Sequence, residues 1–77
     1  MKTANDLRPG QRGIVEKITC ESSLRRRIAD MGITPGVEVL MKRVAPFGDP
    51  IQIHVRGFDL SLRKATAQNI QIKEGTT

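Results

Sequence analysis

Residues 33–44 read ITPGVEVLMKRV, in which a Pro-Gly pair leads directly into an alternating run. Proline at the second position of a turn and glycine at the third favour a type II turn, because glycine accepts a positive φ. Val37, Val39 and Met41 then recur with a period of two, which is typical of a strand with one buried face. A second stretch from residue 7, LRPGQRGIVEKI, begins in the same way. The chain therefore uses one turn-into-strand device twice, without being a solenoid repeat.

Two more strands and a hairpin are predicted in the second half of the chain. Apolar residues recur there at every second position in two runs: Ile51, Ile53 and Val55, then Phe58, Leu60 and Leu62. Only Arg56 and Gly57 separate these runs, so we predict a tight hairpin. Three further apolar residues predict a short turn and a last strand: Ala67, Ile70 and Ile72. The polar residues 74–77 are expected to fray as a tail.

One helix is predicted between the two Pro-Gly turns, over residues 24–31. Its apolar stripe has the i, i+4, i+7 spacing of a helix that packs one face on a core: Leu24, Ile28 and Met31. Ser22 or Ser23 can cap its first turn. Gly32 suits the left-handed position after the last turn, where Ile33 would contact Ile28 in a Schellman motif.

These elements predict an all-β fold with one short inserted helix. Four or five short strands at close spacing favour a small closed or half-closed barrel. With 77 residues the chain can build one core, so we expect a single domain over residues 1–77. The sequence has no apolar run long enough to span a membrane, no signal-peptide pattern at residues 1–10, and one cysteine. We therefore expect a protein of the cytoplasm.

The charge balance predicts an acidic partner. Thirteen Lys and Arg against eight Asp and Glu give a net charge of +5, which favours nucleic acid, an anionic membrane surface or an acidic protein. Arg25, Arg26 and Arg27 form the densest cationic cluster. Arginine stems can cover the rim of a core while their heads stay in water, which needs no partner. In a first helical turn, however, three cations face the positive end of the helix dipole. We therefore interpret the three arginines as a candidate surface for an acidic partner.

Aromatic residues are scarce, and one of them lies in a loop. The chain has two Phe and no Trp or Tyr. It therefore has few aromatic side chains that could stack on single-stranded bases or form the walls of a groove for proline-rich peptides. Phe47 is at the middle of the segment APFGDPIQI, residues 45–53. We expect it to pack over the open end of the barrel, because a large apolar side chain adds buried surface to a small core. If exposed, it would anchor an interface.

The sequence contains no catalytic or metal-binding constellation. His54 is the one histidine and belongs to the polar face of its strand, where we expect it in solvent. Cys20 has no CxxC partner and no neighbouring histidine, so a zinc site is not predicted. There is also no Walker loop, no GxGxxG after a strand and no nucleophile paired with a base. We therefore predict no enzyme activity, no cofactor and no bound metal.

The chain contains three informative segments in a fixed order: LRPGQRGIVEKI, LRRRIADMGITPGVEVLMKR and APFGDPIQIHVRGFDLSLRKATAQNI. Together they resemble the FeoA family, small cytosolic accessory proteins of bacterial ferrous iron uptake. The resemblance implies an SH3-like β-barrel with an inserted helix. It also implies a partner, the membrane permease FeoB with its cytosolic GTPase domain, whose transport the chain would support or regulate without binding iron stably. The contact surface, Arg25 to Arg27 with Phe47, is our hypothesis from the residues and is not implied by the family.

Two other classes stay open. The same SH3-like unit resembles the C-terminal regulatory domain of iron-dependent repressors, although no helix-turn-helix precedes it in this sequence. A basic nucleic-acid-binding module would need only the positive charge, and its affinity would fall steeply with salt. We expect neither a nucleic acid partner nor direct insertion into a membrane. Exposed edge strands can also pair between two copies, so a homodimer is not excluded by the sequence.

Overall fold

The computed structural model describes residues 2–74, so residues 75–77 of the predicted polar tail lie outside it. Glu74, also predicted to belong to the frayed tail, instead ends the last strand and pairs with Gly13. The strands are β1 (Arg12–Ile18), β2 (Glu38–Val44), β3 (Ile51–Val55), β4 (Phe58–Leu62) and β5 (Ile70–Glu74). Along the chain, helix α1 (Ser22–Asp30) separates β1 from β2, helix α2 (Lys64–Ala67) separates β4 from β5, and a 3-10 turn (Ala4–Asp6) precedes β1. The predicted strands and inserted helix are confirmed, and the short turn predicted before the last strand is α2.

The strands form one antiparallel sheet in the order β4-β3-β2-β1-β5. Within residues 2–74, β4 and β5 are not paired with each other, so the barrel is half closed. The molecule measures 29 × 28 × 26 Å, and such nearly equal dimensions fit a curled sheet with its core inside. The hairpin between β3 and β4 has the predicted two-residue loop, with a positive φ at both Arg56 and Gly57.

Both Pro-Gly pairs form the predicted type II turns. Gly10 has a φ of 90° and Gly36 a φ of 93°, close to the value that the third residue of a type II turn requires. In each turn the fourth residue donates its N–H to the carbonyl of the first, from Gln11 to Arg8 at 2.9 Å and from Val37 to Thr34 at 3.1 Å.

The two turns are also bonded to each other's strands. The Gly10 N–H donates to the carbonyl of Met41 in β2 at 2.8 Å, and the Gly36 N–H donates to the carbonyl of Val15 in β1 at 2.8 Å. A β-bulge follows each of these carbonyls, at Glu16 in β1 and at Lys42 in β2. Turn, strand and bulge therefore recur with a shift of 26 positions, and β1 and β2 pair around a local two-fold axis. Bulges increase the twist of a strand, so this pair supplies curvature at the centre of the barrel.

The matched turns allow a matched pair of substitutions, Gly10→Ala and Gly36→Ala. A Cβ at either position meets no atom within 4 Å, so the cost is backbone strain alone. Each variant is expected to lose about 1–3 kcal/mol of unfolding free energy, because alanine resists this positive φ. Urea unfolding of both variants checks this. Unchanged midpoints in both variants would contradict the predicted strain, and a loss in only one variant would show that the two turns are not equivalent.

The core lies between the curled sheet and α1. Within residues 2–74 it consists of fourteen buried apolar residues: Ala4, Leu7, Val15, Ile28, Ile33, Val39, Met41, Ile51, Ile53, Val55, Leu62, Ala67, Ile70 and Ile72. The apolar residues two positions before each Pro-Gly pair, Leu7 and Ile33, are both among them. The predicted inner faces of β2 and β3 are confirmed. Phe58 departs from its run because it is 70% exposed: it lies at the hairpin end of an edge strand, where the core has ended.

Helix α1 differs from the prediction at its start and matches it at its end. It begins at Ser22 with Glu21 as the N-cap, and no side chain caps it. Neither serine is therefore the cap, and Ser23 instead donates its hydroxyl to the Glu21 carboxylate at 3.2 Å. At the other end, Ile33 donates its N–H to the Ile28 carbonyl at 3.2 Å, and Gly32 has a φ of 92°. This is the predicted Schellman motif, with both isoleucines fully buried.

Candidate functional site

The three arginines lie further along α1 than the sequence suggested. Because the helix begins at Ser22, Arg25, Arg26 and Arg27 are its fourth to sixth residues and not its first turn. The effect of the helix dipole falls off within the first turn, and the carboxylate of Glu21 stands at the N-cap. The predicted misfit with the dipole is therefore wrong, and the case for a partner surface must come from what the side chains contact.

The three side chains have different surroundings, although all three are exposed. Arg25 folds back and donates from Nη2 to the carbonyl of Cys20 at 3.2 Å. The Arg26 side chain makes no hydrogen bond or ion pair within residues 2–74, and no ion pair joins it to Asp30, one helical turn away. Arg27 borders a groove on the side of α1 that faces β4. Arg26 and Arg27 are thus the two cations of the cluster whose side chains have no hydrogen bond within residues 2–74, whereas Arg25 is exposed but held by one.

The groove beside Arg27 lies between α1 and the end of β4. It has a volume of about 430 Å³ and is lined by Leu24, Arg27, Asp30, Met31, Ser61, Leu62, Arg63 and Thr66. Met31, the last residue of the predicted helical stripe, remains 37% exposed. The sequence analysis missed Arg63 as a candidate, because only the tertiary fold brings the start of α2 beside α1. The groove combines an apolar floor with two guanidinium groups and one carboxylate.

Phe47 is 97% exposed, so the expectation that it is tucked into the barrel is wrong. The physical reason is the closure of its loop by backbone hydrogen bonds. Gly48 donates its N–H to the Ala45 carbonyl at 2.7 Å, and Ala45 donates to the Pro50 carbonyl at 3.0 Å. This tight turn holds Phe47 at its tip, with its ring in solvent, and residues of β2 and β3 fill the core without it.

The Phe47 loop and the groove border the same corner of the molecule. The backbone N–H of Lys64 donates to Oδ1 of Asp49 at 3.0 Å, which ties the loop to the start of α2. Arg63, the preceding residue, lines the groove. The structure therefore brings the loop that contains Phe47 and the groove that contains Arg27 to the junction of β4 and α2, whereas Arg25 is directed back toward the loop before α1.

A second polar cluster lies on the outer face of the sheet, across three neighbouring strands. Nδ1 of His54 is 2.7 Å from Oδ1 of Asp59, and Nζ of Lys42 is 3.6 Å from Oδ2 of the same carboxylate. The hydrogen bond from His54 lowers the pKa of Asp59 below its ordinary value; slight desolvation opposes this, and the charge of Lys42 adds to it. His54 is therefore half-buried and paired, not simply solvated as predicted.

One further arginine was not singled out by the sequence. Arg56, in the β3–β4 turn, donates from Nε to the carbonyl of Gly32 at 3.1 Å. It joins the hairpin to the C-terminal cap of α1, where a cation also complements the helix dipole. The contact joins residues 24 positions apart, so no local sequence pattern indicates it.

The potential metal ligands of the chain do not converge on one site in the part that the structure describes. Between residues 2 and 74 there is no group of three or more His, Cys, Asp or Glu side chains placed to hold a metal ion. Cys20 is half-buried and unpaired with another cysteine. Over the same residues, no helix has the length and apolar character needed to cross a membrane.

Comparison with known proteins identifies the family. The FeoA domain family model matches residues 2–74. A curated relative, the Fe(2+) transport protein A/Fe(2+) transporter FeoB fusion protein of Porphyromonas gingivalis, is 25% identical over 69 residues. That match covers 90% of this chain and 8% of the fusion protein, so the chain corresponds to a small part of that relative.

Solved structures agree with this match. The FeoA-like protein of Clostridium acetobutylicum is 38% identical, with a TM-score of 0.89 over 100% of this chain and 92% of that chain. The FeoA of Stenotrophomonas maltophilia, a prokaryotic SH3 domain protein, is 23% identical, with a TM-score of 0.83 over 95% of this chain and 91% of that chain. A manganese-dependent transcriptional repressor is 21% identical, with a TM-score of 0.87 over 95% of this chain and 36% of that chain. The last two likenesses concern the fold, which is SH3-like as predicted. The family match spans every described residue, and the chain belongs to the FeoA family.

Proposed function

We propose that this chain is a cytoplasmic accessory protein of ferrous iron uptake that binds the cytosolic part of a FeoB permease. The observation that carries the proposal is the relative in which a FeoA-type segment and FeoB share one polypeptide. A covalent link between two modules raises their effective concentration to about the millimolar range, which benefits modules that bind each other. The role proposed for the chain is to support or regulate transport, with no catalytic step of its own.

The proposed contact surface consists of Arg25, Arg26 and Arg27 on α1 with Phe47 at the tip of the β2–β3 loop. Phe47 supports it because a phenyl ring that is 97% exposed gains about 1.5–3 kcal/mol when a partner buries it. Arg26 supports it because its guanidinium has no internal partner within residues 2–74. Arginine and aromatic anchors commonly supply most of the binding energy at protein interfaces.

The experiment is a titration of the full chain against the purified cytosolic domain of the cognate FeoB, at physiological salt, with duplex DNA as the control. GTP hydrolysis is followed in the same samples, because an arginine supplied in trans accelerates some GTPases. We expect saturable binding to the FeoB domain, none to DNA, and a loss of affinity with added salt that is smaller than a nucleic-acid binder shows.

Each outcome decides between the functions. Saturable binding to the FeoB domain supports the accessory role, and a changed hydrolysis rate assigns it a regulatory effect. Tight binding to DNA without binding to FeoB would overturn the proposal in favour of a nucleic-acid module. Absence of binding in both titrations would also contradict it, since the proposal places the contact on the cytosolic domain.

A further inference from the structure

Strand β4 has an open edge. The outer edge of β5, at the other end of the sheet, is covered by the N-terminal segment: Thr3 forms a bridge with Gln71, and Ile72 donates its N–H to the carbonyl of Lys2 at 2.9 Å. No segment within residues 2–74 pairs with β4 on the side away from β3. A row of unpaired backbone groups is a template for another strand.

The register of the hairpin shows which backbone groups are free. Val55 pairs with Phe58 across a two-residue loop, which makes them the first hydrogen-bonded pair of the hairpin. Hydrogen-bonded pairs then alternate, so every second residue of β4 directs its N–H and C=O toward β3. Asp59 and Ser61 direct theirs away from β3, and no turn or loop within residues 2–74 bonds to them. β4 is five residues long, about 17 Å at 3.4 Å per residue.

The groove between α1 and β4 gives this edge a chemical preference. Its apolar lining comes from Leu24, Met31 and Leu62, and its cations are Arg27 from α1 and Arg63 after β4. One carboxylate, Asp30, faces them. Neither arginine has an ion pair with another side chain within residues 2–74. The edge therefore lies beside two guanidinium groups that lack anions and a methionine that the fold leaves 37% exposed.

We propose that β4 accepts an extended acidic segment of a partner protein as a sixth strand of the sheet. Backbone hydrogen bonds to Asp59 and Ser61 hold the segment, its carboxylates pair with Arg27 and Arg63, and an apolar side chain covers Met31. This is β-strand addition, in which main-chain bonds supply affinity and side-chain pockets supply specificity. The proposal deepens the function proposed above: on that function, the segment belongs to the cytosolic part of the permease.

Charge favours this occupant over a second copy of the chain. Each copy has a net charge of +5, so two copies repel each other as they approach. Like charges brought together at an interface disfavour the wrong partner. An acidic strand instead gives each guanidinium a carboxylate, and such charge-assisted hydrogen bonds are the strong ones.

The test uses a synthetic probe, so it is independent of FeoB. The probe is a blocked seven-residue peptide in which glutamate alternates with valine, and the control peptide has lysine in place of each glutamate. Amide chemical shifts of the full chain are followed by NMR during titration. We expect the glutamate peptide to shift the amides of Asp59, Ser61 and Arg63, to slow hydrogen exchange at Ser61, and to bind at least tenfold more tightly than the lysine peptide.

Two variants separate the contributions. Arg27→Glu combined with Arg63→Glu is expected to reverse the preference between the two peptides. Ser61→Pro removes one outward N–H at an edge position where proline is tolerated. It is expected to lower the affinity for the glutamate peptide at least tenfold. The charge variant keeps the test valid if the proline variant does not fold.

Three results would overturn the inference. One is that neither peptide shifts the β4 amides, and another is that both peptides bind equally. The third is that these amides shift with protein concentration alone, which would identify the edge as a self-association site. Each of these results would leave the titration against the FeoB domain unaffected, so a failure here is distinguishable from a failure of the proposed function.

Discussion

Replacing Ile28 with alanine is expected to lower the free energy of unfolding by about 2–5 kcal/mol, a large share of the total. A domain of this size is stabilised by roughly 4–12 kcal/mol. Ile28 is fully buried and is the one residue of α1 in the core. Its carbonyl also accepts the hydrogen bond from Ile33 that closes the helix. A cavity at this position therefore weakens both the packing of α1 on the sheet and its C-terminal cap.

Two further variants make the Ile28 prediction specific. Ile28→Val removes one methylene and is expected to cost about 0.5–1.5 kcal/mol. Met31→Ala, in the same apolar stripe but 37% exposed, is expected to cost less than Ile28→Ala. Urea unfolding followed by circular dichroism measures all three. If Met31→Ala lowers the free energy of unfolding as much as Ile28→Ala does, the packing of α1 on the sheet does not depend mainly on Ile28.

The parts of the fold that could be predicted from sequence depend on local chemistry. Proline followed by glycine defines the backbone of both type II turns, and the Arg56-Gly57 pair fits a two-residue hairpin loop. Gly32 ends α1 for the same reason: few other residues adopt its φ. The period of two in β2 and β3 identified their buried faces, because alternation reports burial directly.

The remainder depends on contacts between distant segments. The groove joins Arg27 to Arg63, which are far apart in sequence, so no local pattern indicates it. Phe47 was predicted in the core because of its size, but hydrogen bonds within its own loop determine where it points. Ser22 and Ser23 were predicted as possible N-caps of α1. The helix begins at Ser22, so Glu21 occupies the N-cap position instead. The sequence shows that the two Pro-Gly turns are 26 positions apart. The two β-bulges have the same spacing, but they can be recognised only from the pairing of the strands.

Reversing the charge of all three helix arginines, with Arg25, Arg26 and Arg27 each changed to Glu, is expected to weaken binding to the FeoB cytosolic domain about 100-fold or more. Like charges across an interface cost several kcal/mol, and the surface that attracted a carboxylate would then repel it. The fold should persist, because glutamate and arginine have similar helix propensities and all three side chains are exposed. Calorimetric titration gives the affinity, and circular dichroism verifies the fold.

The control must separate a local contact from the overall charge. Changing Lys17, Arg43 and Lys73 to Glu alters three exposed cations on the strands and moves the net charge from +5 to −1, as the helix variant does. General electrostatic attraction predicts equal losses in the two variants, since long-range steering depends on the summed charge. A docking surface on α1 predicts a large loss in the helix variant and a small one in the strand variant. Equal losses would therefore remove the three arginines from the interface, including the contact proposed for Arg27 beside β4, while the accessory role would still be judged by its own titration.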